Sequence, residues 1–223
     1  MSLKFGLTRW AGLARFTPLI LLITLSTISG CSVMRKPTEQ TVGRAELEQK
    51  WQQHQAQVRA LDNWSIDGRV GIKSPEHSGS VGLVWEQNPI TFSLYMTGPL
   101  GQSVARLRGA VVDENQQTVV LHVPDSEPLI SDSAQQLLYE QTGWLIPFQA
   151  LQDWVRGIPM QGEEFLYTLN DKGLLEKLEQ DGWIVEYSRY SQIDGVDLPG
   201  RIRANKEGTT VIVSVRQWTI MNW

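Results

Sequence analysis

Leu47, Trp51, His54, Val58 and Leu61 recur at steps of four, three, four and three, so they share one face of a helix. The other face carries Gln, Lys and Arg, and the spacing predicts an amphipathic helix that ends near Asp62-Asn63 and lies on something apolar. Beyond it the period falls to two. Ile66, Gly68, Val70 and Ile72 alternate with polar neighbours, and so do Val81, Leu83 and Trp85, the pattern of half-buried strands. Ile90, Phe92, Leu94 and Met96 lead into a turn at 97–102, and 102–110 returns from it with Arg106 and Arg108 on one face. Val119, Leu121 and Val123 follow an Asp-Glu-Asn turn.

The middle of the chain reads as helical. Ser131 and Asp132 offer N-caps for a segment with Ala134, Leu137 and Leu138 on one side. Pro147 suits a first helical turn, Phe148, Leu151, Trp154 and Val155 follow at helical spacing, and Gly157 and Pro159 form a stop. Strands then resume. Phe165, Tyr167 and Leu169 alternate, as do Trp183, Val185 and Tyr187, while Leu174, Glu176 and Leu178 pair less clearly. Ile202 and the group Val211, Val213 and Val215 complete the set, with turns at 171–173, 181–182 and 207–208. About ten or eleven short strands broken by two helices predict a mainly β fold, sandwich or barrel, whose helices cover a face or plug a mouth.

The first thirty residues do not belong to this pattern. Lys4, Arg9 and Arg15 precede an apolar or hydroxylic run from Phe16 to Ile28, which ends in Ser29-Gly30-Cys31. A basic start, a run of about thirteen residues and small residues at its end describe a secretory signal; a membrane span needs roughly 20. Ile28-Ser29-Gly30-Cys31 resembles the bacterial lipobox, in which the cysteine receives a diacylglycerol thioether. Cys31 is the only cysteine, and acylation would consume a thiol that is otherwise a liability in an oxidising compartment. Two or more acyl chains anchor stably. By the sorting rule for Gram-negative lipoproteins, Ser32 after the cysteine implies the outer membrane. The expected division is a lipoprotein signal peptide at 1–30, a lipidated tether at 31–44 and one domain at 45–223.

Loss of the three basic residues of the signal leaves 17 Lys and Arg against 24 Asp and Glu, a net of −7. Such a surface excludes nucleic acid as the natural partner and leaves a basic partner open.

Thr97-Gly98-Pro99-Leu100-Gly101-Gln102 is a turn with an anomaly. Pro99 presets the second turn position and the glycines tolerate sharp changes of direction, which puts Leu100 at the tip. There leucine either folds back onto the body or faces solvent and forgoes roughly 1.5–3 kcal/mol of burial, and turn grammar does not choose between them.

The sequence carries no recognisable catalytic constellation. His54, His77 and His122 are scattered without metal-ligand spacing, and there is no nucleophile elbow and no phosphate-binding glycine loop. Glu163 and Glu164 are adjacent, so in a strand they face opposite ways. No enzyme activity, metal or cofactor is therefore expected. Tryptophan is abundant, nine in all. Large aromatics supply core area, and beside Met96 and many aliphatics they would equally line an apolar cavity, so a filled barrel and a hollow one remain open.

Several stretches, in order, carry a family resemblance: Trp51-Gln52-Gln53-His54 with Val58 and Leu61; the turn at 97–101; Gly143-Trp144-Leu145-Ile146-Pro147; Leu151-Gln152-Asp153-Trp154-Val155-Arg156-Gly157-Ile158-Pro159; Gly182-Trp183-Ile184-Val185-Glu186-Tyr187; and Leu198-Pro199. Together with the lipobox, the chain resembles the LolB receptors of the LolA/LolB lipoprotein-localisation family. The resemblance implies an incomplete antiparallel β-barrel enclosing a hydrophobic cavity under a helical lid. It implies an outer-membrane receptor, not an enzyme, that accepts lipoproteins from the periplasmic carrier LolA and inserts them into the outer membrane, with a monomer expected. Trp85, Phe92, Leu94, Met96, Trp154 and Trp183 are candidates for the acyl-cavity lining. Gly98, Pro99, Leu100 and Gly101 match the family's membrane-insertion loop, with Leu100 at the position of its exposed leucine. Gly98 departs from the family's frequent Asn before the proline, a change expected to loosen the turn. An anchored scaffold, or an anchored hydrolase with a triad assembled from distant residues, remains the alternative.

Overall fold

The computed structural model describes residues 39–75, 78–113 and 116–221. The signal segment, Cys31, most of the expected tether and His77 lie outside the described residues.

Helix α1 (Glu39–Arg59) starts inside the segment expected as tether, so residues 39–44 are helical. Its buried positions are Trp51, His54 and Val58, the face that the four-three spacing marks. Strands β1 (Trp64–Lys73), β2 (Ser78–Gln87) and β3 (Thr91–Thr97) follow, then β4 (Ser103–Asp113), β5 (Gln116–His122) and β6 (Leu129–Ser131). Helices α2 (Ala134–Thr142) and α3 (Phe148–Trp154) separate these from β7 (Phe165–Leu169), β8 (Leu175–Gln180) and β9 (Trp183–Ser188). The chain ends in β10 (Ser191–Ile193), β11 (Val196–Leu198), β12 (Arg201–Lys206) and β13 (Thr209–Ile220).

Among the described residues eleven strands form one antiparallel sheet in the order β6-β5-β4-β3-β2-β1-β13-β12-β9-β8-β7, and β10 and β11 make a separate hairpin. The two edges, β6 and β7, do not pair with each other, so the barrel is incomplete. Most neighbouring strands are consecutive and joined by hairpins; at Asp181-Gly182 and Glu207-Gly208 the loop is two residues, both at positive φ, as such a turn between twisted strands requires. Side chains of one parity point to a common interior: Trp64, Ile66 and Ile72 from β1, Phe92 and Leu94 from β3, Trp183, Val185 and Tyr187 from β9.

A bulge interrupts the β1–β13 ladder, where Asp67 pairs with Gln217 but Gly68 with Val215, leaving Arg216 as the extra residue. The backbones close in there, and any side chain at 68 would collide with the Ser214 carbonyl. One consequence concerns parity. Trp218 lies an odd number of residues after Val213, yet both are buried.

The helices span the gap between the sheet's edges. α2 packs on β6, α3 on α2, and Trp154 of α3 donates its indole N–H to Gln180 Oε1 at the end of β8, at 2.9 Å. α1 reaches the other edge, where Tyr167 of β7 donates to Glu48 at 2.6 Å and lies 5.9 Å from Trp51. The α2 cap corrects the expected one. Ser133, not Ser131 or Asp132, accepts from Gln136 N–H, because Ser131 is held in β6 against Val119. Pro147 sits just outside α3, at its N-cap position.

Candidate functional site

Two features stand out: an aromatic interior under the helices and a leucine at the tip of the β3–β4 hairpin. The interior begins with Phe92, whose ring occupies space that any side chain at Gly109 on β4 would block. Its ring lies 4.8 Å from Phe148 of α3, which stacks on Trp85 at 5.3 Å. Trp85 meets Trp64 at 5.2 Å and Trp64 meets Trp218 at 5.7 Å, so five rings run through the core from helix to far strand. A second pair, Trp154 and Trp183, stands 6.2 Å apart.

All six residues expected at the cavity face this interior. Trp85, Phe92, Leu94, Trp154 and Trp183 are buried, and Met96 is half-buried against the same cluster. The aromatic rows divide them, with Trp85 and Phe92 in the long row and Trp154 and Trp183 in the pair. Phe148, Trp64 and Trp218, which the sequence reading does not single out for the cavity, complete the long row. Strand parity marks Trp64, which shares the face of Ile66, but the bulge at Arg216 hides Trp218 from any alternation count.

The polar groups in this interior are few. Gln180 is buried and fully bonded: its Oε1 accepts from Trp154 and from Met160 N–H, and its Nε2 donates to the Met160 carbonyl. His54 donates from Nε2 to the Asp197 carbonyl at 2.7 Å, tying α1 to β11, while its Nδ1 has no partner among the described residues. Burial lowers the His54 pKa, against the opposing pull of Asp197. The Tyr187 hydroxyl is buried without a partner among the described residues, and burial holds its pKa well above the usual value. Arg156 closes the far end of α1. It donates to the Val58 and Leu61 carbonyls and to Asp153 at 2.6 Å, and Arg59 donates to the Pro159 carbonyl. Burial pushes the Asp153 carboxyl up against the pull of Arg156 and Arg59.

The hairpin is the opposite kind of feature. Gly101 N–H donates to the Gly98 carbonyl at 3.0 Å, which makes Pro99 and Leu100 the two central turn residues, and Gly101 follows at φ 80°. Leu100 is 93% exposed. The turn is braced rather than loosened at Gly98. The Gln102 amide folds over Gly98 into space a side chain would occupy, and its Oε1 accepts from Leu100 N–H at 3.1 Å. Gly98 N–H donates in turn to the Gln102 carbonyl at 2.9 Å.

Residues 62–218 match the family model described as outer membrane lipoprotein LolB. The chain belongs to the LolB family. The outer-membrane lipoprotein LolB of Pseudomonas aeruginosa is 36% identical over 194 residues, covering 87% of this chain and 91% of that protein. Its counterpart in Pseudomonas fluorescens is 40% identical over 169 residues, 76% of this chain and 80% of that protein. Among solved structures, a LolA-superfamily protein from Nitrosomonas europaea superposes with a TM-score of 0.50 at 14% identity, over 79% of this chain and 94% of the other. A DUF1329-family protein from Desulfovibrio piger gives 0.54 at 10% identity, over 79% and 92%. At these identities the structural likeness speaks for the fold, an open antiparallel sheet with helices against it, which LolB and LolA-superfamily chains share.

Proposed function

We propose that this chain is the lipid-anchored receptor of lipoprotein localisation at the outer membrane: it takes lipoproteins from the periplasmic carrier LolA into its interior and passes them into the bilayer without covalent chemistry. Membership of the LolB family supports the receptor role, and the near-complete exposure of Leu100 on a braced turn supports delivery. An apolar side chain held in water gains burial when it enters an apolar phase. Acylation of Cys31 would place that phase within reach. Cargo chains exchange the carrier's apolar interior for the space between sheet and helices, which Trp85, Phe92, Leu94, Met96, Trp154 and Trp183 line. These side chains are packed in the described form, so uptake requires the helices to shift. Direction comes from a gradient of affinity, since transfer is driven only by differential binding. The receptor acts as a monomer, and its acidic surface favours a carrier that is the more basic of the two.

The test is transfer. Carrier loaded with labelled lipoprotein is mixed with this chain, and label is expected to move to it without nucleotide. Label that stays on the carrier at every ratio refutes the receptor reading.

A further inference from the structure

A groove of about 900 Å³ lies where the far ends of β2–β5 face α2 and α3. It sits at the end of β3 opposite the Leu100 hairpin, separated from it by the seven-residue strand, roughly 20 Å. Its lining is unusual in chemistry. Gln87, Gln116 and Gln117 enter from the sheet, and Gln135, Gln149 and Gln152 from the helices. Among the described lining residues there is no lysine or arginine, and Asp132 is the one carboxylate. Phe92 and Phe148, the pair that begins the aromatic row, also line it. The Gln117 amide is engaged with the Asp132 carbonyl and that of Gln87 with the Asn88 carbonyl, whereas the amides of Gln135, Gln149 and Gln152 make no bond within the described residues.

Resting on the receptor reading, we propose that this groove holds the backbone of the uncharged, extended peptide that follows the acylated residue of the cargo. A carboxamide carries donors and an acceptor without charge, matching the N–H and C=O groups that each residue of an extended chain presents. With no lysine or arginine among its described lining residues, the groove lacks the side chains that usually hold a phosphate headgroup, which favours an uncharged occupant. The apolar floor gives the acyl chains a route inward past Phe92 and Phe148, which leaves the attached peptide at the rim. Contacts from amides to backbone read no side chain, so one groove accepts many cargo sequences.

The experiment compares two probes on the intact chain and on a triple variant, Gln135→Ala, Gln149→Ala and Gln152→Ala. These are exposed or half-buried helical sites without internal side-chain bonds, and alanine favours helix. One probe is a triacylated cysteine lipopeptide with a short Ser/Asn tail; the other is palmitate, which has no peptide. The variant is expected to bind the lipopeptide about tenfold more weakly and palmitate equally well. N-methylation of the lipopeptide backbone should weaken wild-type binding and leave the variant's unchanged. Equal lipopeptide affinity in the two chains overturns the groove assignment, and so does a parallel loss for both probes, which would place the effect in the interior. If the wild-type chain binds neither probe, the receptor reading itself falls and takes the groove with it.

Discussion

Leu100 is held in solvent by its neighbours. Pro99 fixes one backbone angle, Gly101 takes the left-handed conformation, and the Gln102 amide bonds back to Leu100 N–H across the space left by Gly98. Leu100→Glu removes no internal contact, so folding stability should change by no more than about 0.5 kcal/mol. Uptake of labelled cargo should likewise be unchanged, while delivery to liposomes falls severalfold, because a carboxylate resists entering lipid. Delivery at the wild-type rate would return Leu100 to an incidental surface residue. The turn's grammar was legible from Pro and Gly, but the side chain's direction depends on Gln102, whose role no spacing rule announces. Inward residues were legible wherever strict alternation held, as for Trp85, Phe92 and Trp183. Alternation failed at Trp218 through the bulge, and at Glu176, which is exposed although it shares the parity of buried Leu178 and Gln180, because the β7–β8 register slips there: Thr168 pairs with Lys177 but Leu169 with Leu175.

At the scale of elements, α1 shows what periodicity can and cannot deliver. Its buried face was readable from Trp51, His54 and Val58, but its start at Glu39 was not, because polar Thr, Gln and Glu suit a tether and an exposed helix equally. The three-residue strands β6, β10 and β11 are too short to show a period at all. Its docking carries a pH dependence with a definite sign. In the unfolded chain His54 titrates near its ordinary value of 6.5, and burial lowers it in the folded chain. Above that value both states are neutral. As pH falls through it the unfolded or undocked form binds a proton that the docked form does not, so stability is lost until pH passes the lower folded value. Asp153 acts in the opposite sense at more acid pH, since its raised carboxyl favours the folded, protonated form. Hydrogen exchange of α1 amides, corrected for intrinsic rates, should therefore show less protection at pH 5.5 than at 7.5, and His54→Gln should flatten the difference. Equal protection in the wild-type chain at both pH values contradicts this account.

The described domain is a sheet that never closes, with α1, α2 and α3 filling the interval between β6 and β7. This makes the helices both cover and wall. Their attachments are of two kinds: ring packing through Phe148 and Trp154, and a few directed bonds, namely His54 to β11, Tyr167 to Glu48, and Arg156 to the end of α1. Packed aromatics resist small rearrangements and yield by discrete shifts, so making room for acyl chains calls for a helix to move as a body. α1 is the natural mover, because beyond the packing of Trp51, His54 and Val58 it is tied to the strands by single hydrogen bonds. A chain lacking Cys31 and carrying His54→Cys and Asp197→Cys can be bridged by a short cleavable thiol crosslinker between α1 and the β10–β11 hairpin. The bridged chain should refuse cargo from loaded carrier and recover when the crosslinker is cleaved, while the same chain without crosslinker takes up cargo throughout. If bridged and unbridged chains load alike, α1 stays in place during uptake, and the opening must lie between α2, α3 and the ends of β2–β5 instead.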